Sequence, residues 1–227
     1  MLAMVGYCWL CHQNLYCAYH GICSTCHRQL KRLQAVCPRC ALPSETSDIA
    51  CGRCLKHPPS WQHLIAITDY TPPLSQLIQR YKDHNTPQLA PILARQFLLH
   101  WLQGYREGRW PKPECIVSIP LHRKKRWRRG FDQIELMAHS LSRWLQCPYH
   151  PNILQRSRAT LTQRSLSAAQ RKNNLKYAFK LQGDFANQHV AIFDDVITTG
   201  TTLHEASQLL IRAGARSVQA WAICRTL

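Results

Sequence analysis

The sequence contains few acidic residues and no long apolar segment. Its 227 residues include 12 Asp and Glu against 29 Lys and Arg, which gives a formal net charge of +17 at pH 7. It lacks a run of about 18 uncharged apolar residues, so we expect no membrane-spanning helix. Residues 1–6 lack the basic and long apolar regions of a secretory signal, so we expect a cytoplasmic protein.

The pattern of cysteines does not favour a disulfide framework. Eight of the 12 cysteines form four Cys-x-x-Cys pairs, all before residue 55. This is the spacing of metal ligands, and four thiolates for each ion predict two tetrahedral structural zinc sites. The predicted ligand pairs are Cys8 with Cys11, Cys23 with Cys26, Cys37 with Cys40, and Cys51 with Cys54.

The order of the pairs favours sequential sites, in which the first two pairs bind one zinc ion and the last two bind the other. A cross-braced arrangement is the alternative. Redox-active dithiols are a further alternative, but these normally occur as one Cys-x-x-Cys motif near a β-α-β unit. Histidines that could replace a cysteine as ligand are His12, His20, His27 and His57. A segment this short cannot be stabilised by apolar burial alone, so we expect the metal to replace a core.

Two adjacent carboxylates, Asp194 and Asp195, stand between an apolar run and a turn rich in Thr and Gly. The run at residues 189–193 predicts a strand that ends at Phe193 and is buried on both faces, as in a parallel sheet. Apolar residues then recur at helical spacing, so the motif is a strand, a loop and a helix. Ligands bind at the carboxyl ends of strands in such sheets, which predicts a ligand site at residues 194–202.

The chemistry of this segment favours a sugar phosphate. Gly200 permits a left-handed turn that directs backbone N–H groups to one point, where the N-terminus of a helix adds affinity for an anion. When ionised, Asp194 and Asp195 accept hydrogen bonds from the two hydroxyls of a ribose or help to hold a divalent cation. The alternative is that Asp195 only caps a turn, which accounts for one acid and one hydroxyl.

The same segment resembles the loop of type I phosphoribosyltransferases that binds phosphoribosyl pyrophosphate (PRPP). The resemblance implies an α/β fold with a parallel sheet flanked by helices. It also implies that the acids contact the ribose hydroxyls and that the turn holds the 5′-phosphate. The implied residues for PRPP and Mg²⁺ are Asp194, Asp195, Val196, Thr198, Thr199, Gly200, Thr201 and Thr202, of which the two acids are also the candidate catalytic residues.

A dense basic run follows a second predicted strand at residues 115–120. The resemblance implies that the loop after this strand binds pyrophosphate through Ser118, Pro120, Leu121, His122 and Arg123. The remaining residues of the run would contact nucleic acid by neutralising phosphates and stacking on a base, and these are Arg126, Trp127, Arg128 and Arg129. The alternative is a solvated basic surface.

A polar, basic segment extends from residue 156 to residue 174. Its place resembles the mobile loop that closes over the substrate in phosphoribosyltransferases and excludes water. Candidate contacts from this loop are Arg156, Arg158, Gln163 and Arg171. A solvated surface helix is the alternative.

A Pro-Pro pair at residues 58–59 predicts a domain boundary, and strands alternate with helices after it. We expect a double zinc ribbon at residues 1–56, a linker at residues 57–63 and a phosphoribosyltransferase-like domain at residues 64–227.

Further segments resemble the ComF/GntX family, whose members carry a double zinc ribbon before such a domain. These segments are Ile119-Pro120-Leu121, Arg129-Gly130-Phe131-Asp132-Gln133, and Arg156-x₃-Thr160-x₂-Gln163-x₂-Leu166-Ser167-x₃-Arg171-x₂-Asn174-Leu175. The resemblance implies a role in natural competence or in the use of external DNA as a nutrient. The implied partners are PRPP, single-stranded DNA and other DNA-uptake proteins. The family usually has Asn at the position of Asp132.

Three functions stay open at the level of sequence. The first is a phosphoribosyltransferase that acts on a base or a nucleic-acid fragment. The second is a domain that senses PRPP without turnover, and the third is a DNA-binding adaptor with a vestigial active site. The intact pair of acids disfavours the third function, and the lack of a recognisable acceptor signature disfavours the first.

Overall fold

A computed structural model of the chain describes residues 6–30, 35–121, 123–156 and 179–226, with only the backbone described at 123–125. The cysteine-rich segment contains β1 (Gly6–Tyr7), β2 (Asn14–Leu15), a 3₁₀ turn (Ala18–His20), α1 (Ser24–Gln29) and α2 (Gly52–Lys56). The following elements are β3 (His63–Asp69), α3 (Leu74–Asp83), α4 (Leu89–Arg106), β4 (Cys115–Ser118), α5 (Arg123–Arg129), α6 (Gln133–Leu145), β5 (Tyr149–His150), β6 (Leu154–Arg156), β7 (Phe179–Leu181), β8 (His189–Ile197), α7 (Thr201–Arg212) and β9 (Ser217–Arg225).

Five strands form one parallel sheet in the order β3-β9-β8-β4-β5. The apolar composition of the inner strands follows from burial on both faces of the sheet. β8 and β9 pair along their whole lengths, from His189 opposite Ser217 to Ile197 opposite Arg225. The predicted α/β fold, with a parallel sheet flanked by helices, is confirmed.

β8 is longer than its apolar run predicts. The sequence predicts a strand that ends at Phe193, but β8 continues through Asp194 and Asp195 to Ile197. The parallel pairing with β9 also continues, since Asp194 lies opposite Ala222. The end of this strand is therefore set by backbone hydrogen bonding to a long neighbour and not by the polarity of its side chains.

Helices cover both faces of the sheet. One face packs against α3, α4 and α6, and Phe97 of α4 contacts Phe193 and Trp221, with ring centroids 5.7 and 5.2 Å apart. The other face packs against α7 and the antiparallel pair β6 and β7 through residues such as Leu203 and Phe179. Among the helices of the described residues, none combines the length and hydropathy that crossing a membrane requires.

The cysteine-rich segment consists of two units with a common backbone pattern. The N–H of Cys8 donates to the carbonyl of Gln13 (2.8 Å), and in the second unit the N–H of Cys37 donates in the same way to the carbonyl of Leu42 (2.9 Å). In both units the next Cys-x-x-Cys pair lies at the start of a short helix, α1 or α2. We call these the first and the second cysteine unit.

The two cysteine units contact different parts of the sheet domain. In the first unit, His27 forms a hydrogen bond with Gln96 of α4 (2.5 Å between Nδ1 and Oε1). The second unit contacts the edge strand β3, whose Leu64 N–H donates to the carbonyl of Pro38 (2.9 Å). This contact occupies a backbone donor of β3, an edge strand of the five-stranded sheet.

Candidate functional site

The carboxyl edge of the sheet, where the parallel strands end, brings the predicted site residues together. β8 lies between β4 and β9, and Ser118 at the end of β4 pairs with Phe193 of β8. The acid pair, Asp194 and Asp195, comes directly after Phe193. Residues 198–202, which we call the phosphate loop, follow the end of β8. The segment after β4 therefore begins beside Phe193 and the acid pair, at the same edge of the sheet as the phosphate loop.

The two acids have different surroundings. Asp195 is only 7% exposed, and its Oδ2 accepts a hydrogen bond from Gln133 Nε2 (2.6 Å) and forms an ion pair with Lys82 Nζ (3.0 Å). Asp194 is half-buried, and its Oδ1 accepts from the N–H of Asp195 (2.8 Å). Because Asp195 already binds two side-chain donors, Asp194 has the greater capacity for a ligand.

Burial is the main cause that raises the pKa of Asp194 to about 7, and the negative charge of Asp195 adds to it. The N–H of Asp195 and the charges of Lys82 and Arg156 lower this pKa, but they do not offset the effect of burial. A cation or a hydroxyl donor bound beside Asp194 would stabilise the ionised carboxylate. The acid pair thus has the electrostatic character of a site for a cation or a diol.

Lys82 and Gln133 are site residues that sequence reasoning misses. Gln133 donates to Asp195 and accepts from Nη1 of Arg129, and the Tyr81 hydroxyl donates to the Gln133 carbonyl (2.7 Å). Because Lys82 belongs to α3 and Gln133 begins α6, this network joins two helices to β8. No motif marks Lys82 in the sequence, whereas Gln133 ends the Arg-Gly-Phe-Asp-Gln segment.

Asp132 occupies the position at which the ComF/GntX family usually has Asn. Its Oδ1 accepts from the N–H groups of Ile134 (3.0 Å) and Glu135 (3.3 Å), so it is the N-cap of α6. Asp and Asn are about equally good N-caps. The departure therefore preserves the start of α6, where Gln133 faces Asp195.

Three of the four residues of α5 that we expect to contact nucleic acid are exposed to solvent. The exposed side chains are Arg126, Trp127 and Arg128, and that of Trp127 is 89% exposed. Arg126 Nη2 lies 3.4 Å from Glu135 Oε2. Arg129 donates instead to Gln133, so its guanidinium belongs to the network of the acid pair.

The phosphate loop places a left-handed residue directly before a helix. Gly200 has φ +76° and is the N-cap of α7, a conformation that disfavours any residue with a side chain. The Oγ1 atoms of Thr199 and Thr201 lie 2.8 Å apart and share a hydrogen bond. The first N–H groups of an α-helix have no acceptor within the helix, so the N-terminus of α7 attracts anions.

Arg156 connects the segment after β4 with the acid pair. Its Nε donates to the carbonyl of Pro120 (3.0 Å), and its guanidinium lies over the ring of Phe179 at 5.1 Å from the centroid. Burial lowers the pKa of Arg156, and the charge of Asp194 opposes this effect. Arg156 is the last residue of β6. It lies close enough to Asp194 for the two charges to interact.

The other predicted loop residues are only partly described. The hydroxyl of Ser118 forms a hydrogen bond with the hydroxyl of Tyr149 (2.7 Å). Leu121 lies in the segment between β4 and α5. The predicted residues outside the described part of the chain are His122, Arg158, Gln163, Arg171 and the side chain of Arg123.

The paired cysteines form two sequential clusters, as the order of the pairs predicts, and the cross-braced arrangement is not observed. The first cysteine cluster is Cys8, Cys11, Cys23 and Cys26, and the second is Cys37, Cys40, Cys51 and Cys54. Within each cluster all Sγ atoms lie within 4.8 Å of one another, and distances of 3.7 and 3.8 Å separate Cys11 from Cys23 and Cys40 from Cys51. Tetrahedral Zn–S bonds of about 2.3 Å place neighbouring sulfurs about 3.8 Å apart. Both clusters therefore fit zinc.

Backbone N–H groups donate to cysteine sulfurs in both clusters. The N–H of Cys23 donates to Cys8 Sγ (3.4 Å), and the N–H of Cys51 donates to Cys37 Sγ (3.2 Å). Burial raises the pKa of both Cys8 and Cys37. The hydrogen bonds that their sulfurs accept, mainly from backbone N–H groups, outweigh burial and lower the pKa of Cys8 to about 6 and that of Cys37 to about 7. The thiolate form, which binds metal, is thereby favoured.

Comparison with known proteins relates the whole chain to proteins named for DNA use and competence. A family profile described as phosphoribosyl transferase domain matches residues 135–226. The chain is 46% identical over 227 residues to the DNA utilization protein YhgH of Escherichia coli (strain K12), covering 100% of both chains. It is 41% identical over 221 residues to competence protein F of Haemophilus influenzae, covering 96% of each.

Comparison with solved structures also gives matches to phosphoribosyltransferases. Adenine phosphoribosyltransferase from Saccharomyces cerevisiae aligns with a TM-score of 0.42 and 22% identity, covering 63% of this chain and 72% of that one.

We expect about two zinc ions for each chain, because each cluster offers four thiolates. Cys26→Ser or Cys54→Ser should reduce the content to about one ion, since each removes a ligand from one cluster. Elemental analysis of the purified protein measures this content. Cys147→Ser is the matched control, because Cys147 is buried outside both clusters, and it should retain both ions. An unchanged zinc content in both cluster variants would contradict the assignment.

Lys82→Met should lower the free energy of unfolding by about 1–3 kcal/mol, because the buried Asp195 loses its ion-pair partner. The double variant Lys82→Met, Asp195→Asn should recover most of this loss, since it no longer buries an unpaired charge. Urea denaturation of the zinc-loaded protein measures both values. Losses that simply add in the double variant would show that the two side chains are not coupled.

Proposed function

The chain belongs to the ComF/GntX family of competence and DNA utilization proteins, and from this premise we propose that its carboxyl edge binds PRPP with Mg²⁺ beside a surface for single-stranded DNA. The observation that supports the PRPP site best is the position of Asp194 relative to the phosphate loop. Asp194 lies near the end of β8, and the loop leads from that strand into the N-terminus of α7. A diol or cation site and an anion site are thus only a few residues apart.

Each part of PRPP has a complementary group in this proposal. Asp194 accepts hydrogen bonds from the ribose hydroxyls and contributes to holding Mg²⁺, while Asp195 adds negative charge beside it. The phosphate loop and the first N–H groups of α7 bind the 5′-phosphate. The segment after β4 binds the pyrophosphate, with the positive charge of Arg156 nearby.

Transfer from PRPP would break the bond between the anomeric carbon of ribose and pyrophosphate. Bound Mg²⁺ would supply positive charge to the departing pyrophosphate. The contribution of this chain is to orient the ribose through Asp194 and to hold the 5′-phosphate at α7, which fixes the sugar relative to an attacking group. Lys82 holds Asp195 in place and thereby fixes the neighbouring Asp194 in β8.

A second candidate function is a PRPP-sensing or DNA-binding adaptor without turnover. It is favoured by the engagement of Asp195 with Lys82 and Gln133, which occupies one acid of the pair without a ligand. Release of pyrophosphate from PRPP, dependent on Mg²⁺ and on a base or oligonucleotide acceptor, would distinguish the enzyme from the adaptor. Binding of PRPP without release would favour the adaptor.

We expect Asp194→Asn to weaken binding of PRPP with Mg²⁺ by at least about tenfold, because the charged acceptor is lost. Isothermal titration calorimetry of the zinc-loaded protein measures the affinity. Asp184→Asn is the matched control, because Asp184 is an exposed acid that accepts from the N–H of Ala186 before β8 begins. Equal affinity in Asp194→Asn would remove this acid from the site, and no binding by the unaltered protein would leave DNA as the main ligand.

The proposed DNA surface is the exposed side of α5. Arg126→Ala with Arg128→Ala should flatten the dependence of log K on log salt by about 1.4, since each lost phosphate contact on a single strand removes about 0.7. Trp127→Ala should instead weaken binding of a short single strand at every salt concentration, by about fivefold or more, through the loss of base stacking.

Fluorescence anisotropy with a labelled oligonucleotide measures both effects. The matched control is Arg212→Ala with Arg216→Ala, because these exposed arginines lie at the opposite edge of the sheet, where Arg212 ends α7 and Arg216 directly precedes β9. A slope that changes as much in the control as in the α5 variant would show that binding depends on overall charge and not on this surface.

A further inference from the structure

Three consecutive carbonyls of the second cysteine unit accept hydrogen bonds from the sheet domain. They belong to residues 38–40, in the turn between the first two cysteines of the second cluster. Their donors are, in order, the N–H of Leu64 (2.9 Å), Nε1 of Trp61 (2.5 Å) and Nε of Arg225 (3.1 Å). The conformation of this turn is therefore coupled to three separate positions of the sheet domain.

Trp61 connects this turn to the phosphate loop. Its side chain is buried, and its ring lies against Gly200, where an added Cβ would be 3.1 Å from Trp61 Cη2. The ring also meets His204 of α7 edge-on, with centroids 6.3 Å apart. The neighbouring Ser60 N–H donates to His204 Nδ1 (3.3 Å). Trp61 thus packs against both the phosphate loop and the first turn of α7.

Arg225 makes a second connection between the same two places. Its guanidinium is buried and donates from Nη1 to the carbonyl of Ile197 (3.2 Å), while its Nε donates to the backbone carbonyl of Cys40. Ile197 is the last residue of β8, directly before the phosphate loop. Four thiolates and one Zn²⁺ sum to two negative charges, so a metal-loaded second cluster would also compensate the buried positive charge of Arg225.

The first cysteine unit contacts a different part of the domain. Its His27 binds Gln96 of α4, and its buried residues join the core on the face of the sheet that packs against α3, α4 and α6. Trp61 and α7 belong to the core on the opposite face. The two metal clusters are therefore not equivalent with respect to the phosphate loop.

We propose that Trp61 and Arg225 are positioning residues, through which the metal-bound second cluster holds the phosphate loop in the conformation that accepts the 5′-phosphate of the sugar. This inference rests on the proposed PRPP site. Neither residue touches the ligand. Their effect is on the shape of the loop and on the direction of the N–H groups at the start of α7.

The test uses the full-length, zinc-loaded protein and titrates ribose 5-phosphate and pyrophosphate separately. Trp61→Phe keeps an aromatic ring but loses the indole N–H, and Arg225→Lys keeps the charge but loses the paired donors. Each substitution should weaken the binding of ribose 5-phosphate by about fivefold, which is the effect of one hydrogen bond. The affinity for pyrophosphate should not change. Gln96→Met is the matched control, because it removes the polar contact of the first cysteine unit, and it should change neither affinity.

Hydrogen exchange without ligand provides a second measurement, at the amides of residues 201–204. Exchange there should be faster in Trp61→Phe than in the unaltered protein, at equal zinc content and equal global stability. If Trp61→Phe does not fold, Arg225→Lys provides the same comparison.

The outcomes separate this inference from the proposed function. Unchanged ribose 5-phosphate affinity and unchanged exchange in the variants would overturn the inference and leave the PRPP site intact. Equal losses for ribose 5-phosphate and pyrophosphate would indicate general damage and would also overturn it. Failure of the unaltered protein to bind either ligand would overturn the proposed function, and this inference with it.

Discussion

The in-register parallel pairing of β8 with β4 and β9 is the constraint on which the candidate site depends. Parallel strands end at a common edge, so this pairing brings Asp194, the phosphate loop and the segment after Ser118 to the same edge of the sheet. β8 is apolar on both faces, and a shift of one residue would reverse the face of every side chain, including both acids. The same pairing sets Ile197 opposite Arg225, through which the second cysteine unit is attached.

A strongly basic chain that places two carboxylates side by side must stabilise them without losing their capacity for a ligand. Neighbouring residues of a strand point to opposite faces of the sheet, so the two acids meet different helices and loops. Asp195 meets Lys82 and Gln133, which bind it directly. The pKa of Asp194, which lies near Arg156, is raised. A bound cation or diol would therefore stabilise the ionised form of Asp194. Asp195 is thus held by side chains of the protein itself, and Asp194 keeps more unoccupied acceptor capacity.

Apolar contacts to the sheet domain add to the stabilisation that a metal ion in each cluster would give the cysteine units. Each cluster provides four thiolates in a geometry that fits zinc, and each unit also adds residues to the main core. Leu15 and Ile22 of the first unit join the core on the face of α4, and Ala41 of the second joins the core on the face of α7. The units are therefore part of the packing of the sheet domain, and this packing is the physical basis of the coupling that we propose between the second cysteine cluster and the phosphate loop.

Local signals in the sequence determined the fold class, the two sequential cysteine clusters and the strand, loop and helix that contain Asp194. Each depends on residues close in the chain, through hydrophobic period, Cys-x-x-Cys spacing or a glycine at a positive φ. Only the tertiary structure decided that Lys82 pairs with Asp195, that β8 continues past Phe193, and that Arg225 binds Cys40, which is 185 residues away. Such contacts depend on how separate elements pack, and a lysine or an arginine has the same local sequence signal whether it ends in solvent or beside a buried acceptor.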